Sequence, residues 1–150
     1  MSTDEIRAIE LLNRVSYGRV ATSMRAMPFV APARHVVVDG RVLLRMHEGL
    51  GYHRACNGIV VAYGADNFDS GAGHIWSVQF SGTARVVEPT REERAAFGPE
   101  PELVDGEPFV PVYLRIEPQF ATVHTLDYPS ESRSTRPAAR SVRRHLHHVA

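Results

Sequence analysis

The clearest pattern in the chain is a long alternation of apolar and polar residues from His74 to Val87. Its apolar positions are Trp76, Val78, Phe80, Ala84 and Val86. Its polar positions are Ser77, Gln79, Ser81, Thr83 and Arg85. Since successive side chains of a strand point to opposite faces, the pattern predicts a strand with one face in the core and one polar face.

Several other stretches also predict strands. Asp39-Gly40 separates two β-rich runs and predicts a hairpin of Ala33–Val38 with Arg41–His47, because both turn residues tolerate a positive φ. A short strand is predicted at Gly18–Ser23, and Pro28 predicts the turn after it. Further strands are predicted for the apolar run at 59–66 and for the alternating stretch at 109–118, with a continuation at 120–126.

Helices are predicted at Asp4–Arg14, at Gly51–Cys56 and between Thr90 and Gly98. The first and the last begin with capping-box patterns, formed by Ser2 with Glu5 and by Thr90 with Glu93. About six strands with helices only at the ends and corners predict a mostly β (α+β) domain, built as a closed or half-closed barrel.

The chain has 150 residues, of which 43% are hydrophobic, so one domain with its own core is expected. We place that domain at residues 1–128. From Ser130 the composition changes to five arginines and one acid with few core-forming residues. Residues 129–150 are therefore predicted to be a basic tail that is flexible or ordered by a partner.

Charge and cysteine content narrow the classes of function. The formal net charge is zero, which gives no reason to expect a nucleic-acid partner. The chain has no lysine, so an anion site would need arginine, histidine, hydroxyl or backbone N–H groups. Cys56 is alone, and no long apolar segment is present, so we expect a cytoplasmic protein without a disulfide or membrane contact.

The order of these motifs is similar to a known family. "YGRVAT", "RHVVVDGRVLLRMH", "VVAYGAD" and "WSVQFSGTARVV" together resemble the pyridoxamine 5′-phosphate oxidase-like family of FMN-binding split β-barrels, especially its short actinobacterial members. The resemblance covers Glu5 to Leu126. It implies a six-stranded antiparallel split barrel with short peripheral helices, and a homodimer with two FMN sites along the subunit seam.

The resemblance also implies a set of cofactor contacts. They are His35, Val36, Arg45, Met46, His47, Tyr52, His53, Arg54, Trp76 and Ser77. The basic residues after the third strand would hold the phosphate, since arginine offers a planar fork of donors and a helix beginning near Gly51 would add N–H groups. Ser77 stands where relatives place a polar side chain near the flavin.

The expected function is that of an FMN-dependent oxidoreductase acting on a small molecule, with no catalytic residue identified. Three alternatives stay open. One is a reductase that uses the deazaflavin F420, and another is a haem-binding relative with His35, His47 or His53 as a contact. The third is a non-catalytic module, suggested because "GLGYHR" replaces the "S-R-K" pattern of the family.

Other classes of site find little support. "HLHH" at His145–His148 has no firm metal-ligand spacing and no acid or cysteine beside it, so no metal site is expected. Hydrolase triads, lysine-containing phosphate loops and paired-histidine zinc motifs are absent from the sequence.

Overall fold

Residues 2–129 are described in a computed structural model, which winds six of the strands into a barrel. The helices are α1 (Thr3–Leu12), α2 (Tyr52–Cys56) and α3 (Arg91–Phe97), and a 3-10 turn covers Glu48–Leu50. The strands are β1 (Tyr17–Met24), β2 (Met27–Val38), β3 (Arg41–His47), β4 (Val60–Asp66), β5 (His74–Val87), β6 (Leu103–Val104), β7 (Glu107–Pro108) and β8 (Pro111–Asp127). The predicted tail, apart from Pro129, lies outside the described residues.

The barrel closes in the order β1-β2-β3-β8-β5-β4, and β4 pairs with β1 to complete it. Every pair in it is antiparallel. The long strand β8 holds the two halves together, because Ile116 lies opposite Val42 of β3 on one side and Ala84 of β5 on the other. The mostly β, six-stranded barrel predicted from the sequence is confirmed.

Alternation along the strands fills the barrel interior. The buried apolar side chains of this core include Val20, Ala33, Val42, Leu44, Tyr63, Trp76, Val78, Phe80, Leu114 and Ile116. The predicted dry face of β5 is confirmed as far as Ala84, whereas Val86 is 40% exposed. The register of β5 against β8 shifts at Ser81/Gly82. Gly82 is required there because a Cβ would overlap the Glu117 carbonyl.

The helices are short and attached to the outside of the barrel. The Ser2 hydroxyl accepts a hydrogen bond from the Glu5 N–H at 3.1 Å, and α1 buries its apolar face against β5 and β8. Thr90 and Glu93 form the complete predicted capping box of α3. No helix within residues 2–129 is long and apolar enough to cross a membrane.

Two turns differ from the sequence prediction. Pro28 does not form a turn, because it lies in β2 opposite Ser23. The chain reverses before it, at Arg25 and Ala26, which have φ of +53° and +65°. The Asp39-Gly40 hairpin is confirmed. Residues 99–108, between the last predicted helix and the predicted strand at 109–118, contain a small hairpin, β6–β7, around Asp105-Gly106.

Residues 98–110, here called the 98–110 segment, cover the outer face of β3. The Arg45 guanidinium donates to the Gly98 carbonyl at 3.1 Å and to the Pro99 carbonyl at 3.0 Å. At the other end, the Glu48 N–H donates to the Val110 carbonyl at 2.8 Å. The segment is therefore fastened to the barrel at both ends.

Candidate functional site

The polar face of β5 forms part of a groove on the outside of the barrel, here called the Gly64 groove. Cross-strand register places Arg19, Gly64, Gln79 and Thr122 side by side across four strands. Asp66, Ser77 and His124 form the next such row. Together these residues line a depression of about 400 Å³. Hydroxyl, amide, guanidinium and carboxylate groups thus converge on one surface.

Gly64 makes this groove possible. Its outer face carries no side chain, and a Cβ built there would meet only the Val78 carbonyl, at an ordinary 3.6 Å. The strand would accept a side chain at this position, so its backbone does not require glycine. The absence of a side chain instead leaves a flat backbone surface between Arg19 and Gln79.

An apolar row, here called the Val30–Phe120 row, runs beside the groove. Register aligns Val30, Ala21, Ala62, Ser81 and Phe120 across five strands. Val30 is 63% exposed and Phe120 is 61% exposed. Small side chains between two exposed large ones make this part of the sheet flat and partly hydrophobic.

A second depression, here called the β3 groove, lies beside the 98–110 segment. It has a volume of about 160 Å³, and its wall includes three of the predicted contacts, Arg45, Met46 and His47. The remaining lining residues are Tyr17, Pro32, Ala33, Arg34, Leu50, Pro101, Val104 and Phe109. This groove is therefore mainly apolar and aromatic, with Arg34 as an added cation.

Arg45 and His47 use their polar atoms to hold the 98–110 segment. Arg45 is only 4% exposed, and its guanidinium lies over the rings of Phe97 and Phe109 in addition to its two carbonyl bonds. His47 Nδ1 accepts a hydrogen bond from the Val110 N–H at 3.1 Å, and its ring stacks on Phe109. These two side chains thus bond to the 98–110 segment within the subunit, and their predicted contact with a phosphate stays a prediction.

The three predicted cofactor contacts on α2 differ in burial and in their neighbours. The Tyr52 ring stacks on Phe29 with 4.7 Å between centroids, and Arg54 is exposed. His53 is buried, and desolvation lowers its pKa, followed by the charge of Arg54. Because α2 has only five residues and the Gly51 N–H donates to the Glu48 carbonyl, the expected helix dipole contributes little.

His35 is buried inside the barrel wall. Its Nε2 donates to the Leu12 carbonyl at 2.9 Å, and its Nδ1 lies 2.5 Å from the Tyr63 hydroxyl. Desolvation lowers the pKa of His35 and raises that of Tyr63, so both groups are held neutral. Both ring nitrogens are engaged within the chain, and the predicted cofactor contact of His35 stays a prediction.

The apolar members of the predicted site are also packed within the molecule. Trp76 and Met46 belong to the barrel core, with 3% and 4% exposure. Val36 faces outward and packs against the small cluster of Leu43, Phe97 and Tyr113 under α3. Among the predicted cofactor contacts, only Ser77 lines the Gly64 groove.

Sequence reasoning missed Arg19, Gly64 and Thr122 as groove residues. The alternation of β1, β4 and β8 places each on the outer face, but the register that aligns them depends on how the strands pair around the barrel. No group of three or more histidine, cysteine or acidic side chains within residues 2–129 could hold a metal ion. "HLHH" lies outside the described residues.

Comparison with known proteins agrees with this fold. The family model described as pyridoxamine 5′-phosphate oxidase matches residues 4–125. The uncharacterized protein Rv0080 of Mycobacterium tuberculosis is 38% identical over 89 residues, which cover 56% of this chain and 59% of that relative. The matched stretch therefore spans about three fifths of the relative's length.

Solved structures show the same architecture. The FAD-binding protein from Mycobacterium smegmatis superposes with a TM-score of 0.65 at 25% identity, over 84% of this chain and 98% of that one. An FAD-binding protein from Mesorhizobium loti superposes with a TM-score of 0.59 at 16% identity, over 85% of this chain and 96% of that one. At that identity the second structure supports the fold alone.

Proposed function

The chain belongs to the pyridoxamine 5′-phosphate oxidase family, and on that premise we propose that it binds a flavin nucleotide, FMN in the first instance, and acts as an oxidoreductase on a small molecule. The observation that carries the proposal is the Gly64 groove, a flat outer surface with hydrogen-bonding groups along its sides. The Mycobacterium smegmatis structure, which is of an FAD-binding protein, supports a flavin as the ligand class.

The groove fits the chemistry of an isoalloxazine ring. Such a ring is flat and has one polar edge with carbonyl, imide and ring-nitrogen atoms, so it needs an open surface and nearby donors and acceptors. Gly64 provides the open surface, while Ser77, Gln79 and Thr122 provide hydroxyl and amide groups. The exposed Arg19 guanidinium adds a positive charge for an anionic ligand.

We further propose that the site is completed by a second copy of the chain. A ligand pocket usually has about 300–1,000 Å³ and buries most of its ligand. The β3 groove, at about 160 Å³, is too small, and the Gly64 groove is shallow. The two are complementary, since one offers aromatic walls and the other polar groups. A homodimer that opposed them would enclose a flavin, and the Val30–Phe120 row would supply apolar contact area.

In this proposal the flavin and the protein have different roles. A bound flavin supplies hydride or electron transfer, and the protein supplies its position and electrostatic surroundings. Ser77 and Gln79 would orient the polar edge of the ring, and Arg19 would offset negative charge. Asp66 and His124 also line the groove, and no contact within residues 2–129 assigns either of them as a general acid or base.

The first test is the visible spectrum of the purified full-length protein. Flavin absorption bands are expected, and if the protein is colourless, titration with FMN and with FAD should quench Trp76 fluorescence with a Kd of about 10 µM or below. Trp76 is the sole tryptophan and lies beside Ser77, so it reports on the groove. A Soret band, binding of F420 alone, or no binding of any of these ligands would overturn the flavin assignment.

The second test places the ligand at Gly64. Gly64→Val should weaken flavin binding at least tenfold, because its side chain would fill the groove, whereas the smaller Gly64→Ala should have less effect. Both variants should unfold at or above the wild-type temperature, since valine and alanine fit a strand better than glycine. Equal affinity of Gly64→Val and wild type would remove the groove from the site.

A further inference from the structure

A further depression lies on the outer face of β5 and β8, beside the register shift between these two strands. It has a volume of about 260 Å³ and is here called the Arg85–Arg115 depression. Register places Arg85 directly opposite Arg115, and side chains opposed in this way have Cβ atoms about 5 Å apart. Two guanidinium groups therefore share one small surface, whose lining residues are Thr83, Arg85, Arg115, Glu117, Pro118 and Gln119.

Within residues 2–129 the positive charge of this arginine pair is only partly compensated. Arg115 Nη2 lies 3.7 Å from Oε1 of Glu117, whose side chain is 69% exposed. The Arg85 guanidinium forms no hydrogen bond or ion pair in that part of the chain. Like charges that face each other across a strand pair are destabilising, and arginine does not lose its proton to relieve the repulsion. A bound anion would offset the positive charge that remains.

Packing holds one of the two arginines in place. The Arg115 side chain is 31% exposed, and its register partner on β3, Leu43, belongs to the buried cluster with Phe97 and Tyr113. Its Nε is buried without a hydrogen-bond partner among residues 2–129, so the ligand contacts proposed here are those of the terminal Nη1 and Nη2. A side chain that is already fixed by packing loses less conformational entropy when it binds a ligand.

We propose that the Arg85–Arg115 depression binds the phosphate group of a small molecule. A phosphate group carries nearly two negative charges, and each guanidinium fork can bond two of its oxygens, whereas a carboxylate has one charge and two oxygens in all. The Thr83 hydroxyl and the Gln119 amide add hydrogen-bond donors. Pockets for whole ligands usually have about 300–1,000 Å³, so a depression of about 260 Å³ takes the phosphate group and leaves the rest of the molecule outside.

This site is separate from the proposed flavin site. It shares no lining residue with the Gly64 groove or the β3 groove. Gln79 of the Gly64 groove and Arg85 lie on the same strand, roughly 20 Å apart at about 3.3 Å per residue. The ribityl chain of FMN is shorter than that, so an FMN whose ring lies at Gly64 would not place its own phosphate between Arg85 and Arg115.

Titration with inorganic phosphate, acetate and chloride tests this selectivity. Each anion is added to the full-length protein at constant ionic strength, so that general screening stays the same, and binding is followed by amide chemical shifts. Phosphate should shift the amides of Thr83, Arg85 and Arg115 with a Kd of about 5 mM or below, at least tenfold tighter than acetate or chloride. No saturable phosphate shift at these amides, or equal binding of acetate or chloride, would overturn the proposal.

Uncharged variants identify the residues responsible. Arg85→Gln and Arg115→Gln should each weaken phosphate binding about fivefold or more, because each removes a charged fork of donors. Glu117→Gln should instead strengthen binding about threefold, since it removes a negative charge beside the phosphate. Arg91→Gln is the matched control, because Arg91 is exposed and does not line the depression. Arg85 is also exposed, so its variant should fold, and unchanged phosphate affinity in Arg85→Gln would overturn the assignment.

The Gly64→Val variant keeps this proposal distinguishable from the proposed function. It fills the Gly64 groove, so it should lose flavin affinity and yet bind inorganic phosphate as the wild type does. Loss of the phosphate shifts at Thr83 and Arg85 in this variant would overturn the separation of the two sites. A protein that binds no flavin but gives the expected phosphate shifts would overturn the proposed function and leave the phosphate site supported.

Discussion

At the scale of single residues, the sequence indicates which side chains are chemically capable but not what each one contacts. His35, Arg45 and His47 were predicted as cofactor contacts from the resemblance to the family. Their partners in the structure are the Leu12 carbonyl, the Gly98 and Pro99 carbonyls and the Val110 N–H. Each partner is separated from its residue by more than 20 positions, so only the folded chain brings them together.

His35 gives a prediction at this scale. His35→Leu should lower the free energy of unfolding at pH 7.5 by about 1–3 kcal/mol, because the Leu12 carbonyl and the Tyr63 hydroxyl each lose a buried partner. The measurement is urea denaturation. The matched control, His124→Leu, removes an exposed imidazole and should change stability by less than about 0.5 kcal/mol.

The same histidine makes stability depend on pH. Burial lowers the pKa of His35 below its ordinary 6.5, with the Arg34 charge acting in the same direction, so the unfolded chain binds this proton more readily than the folded one. Its contribution is therefore complete above about pH 6.5 and is lost as the pH falls toward the lowered folded-state pKa. Denaturation between pH 5 and pH 7.5 should show a shallower slope for His35→Leu. His53, with a pKa lowered in the same direction, accounts for part of the slope that remains.

At the scale of elements, alternation and turn chemistry predicted most of the barrel. The strand at 74–87 and the Asp39-Gly40 hairpin were predicted closely, because each depends on local signals of strand period and positive φ. The turn between β1 and β2 was predicted at Pro28 and not at Arg25-Ala26, because Arg25 and Ala26 are not residues that normally signal a left-handed turn. The β6–β7 hairpin was missed because its strands have only two residues each, too few for a period.

The Arg25-Ala26 turn gives a prediction for this hairpin. Ala26→Gly should raise the free energy of unfolding by about 1 kcal/mol, because a residue with a Cβ is unfavourable at φ +65° and glycine is not. The matched control is Ala96→Gly in α3, which should instead lower stability by about 1 kcal/mol. Thermal and urea unfolding measure both. A destabilising Ala26→Gly would contradict the left-handed assignment.

At the scale of the whole molecule, the sequence predicted the barrel but not the two features of its outer surface on which the proposed function rests. The Gly64 groove and the Val30–Phe120 row both depend on register across four or five strands. A one-residue shift in the register of any of these strand pairs would separate the aligned residues. Local patterns do not fix that register, which is set by closure of the barrel and by the shift at Ser81/Gly82.

The proposed homodimer is tested at this scale. The protein should have twice its 16.7 kDa chain mass by light scattering, and Phe120→Asp should halve that mass by placing a charge in the apolar contact. Because the flavin site is proposed to need both subunits, this variant should also lose flavin. Phe68→Asp is the control, at an exposed aromatic in the 67–73 loop. A wild-type protein of 16.7 kDa would contradict the dimer.

The double pairing of β8 has a consequence for biosynthesis. Since β8 lies between β3 and β5, neither of these strands can complete its hydrogen bonds until residues 111–127 have been made and released from the ribosome. During translation the nascent chain therefore carries two unpaired strand edges, which favour aggregation. We expect barrel closure to be a late and slow folding step, governed by contacts between residues far apart in the chain.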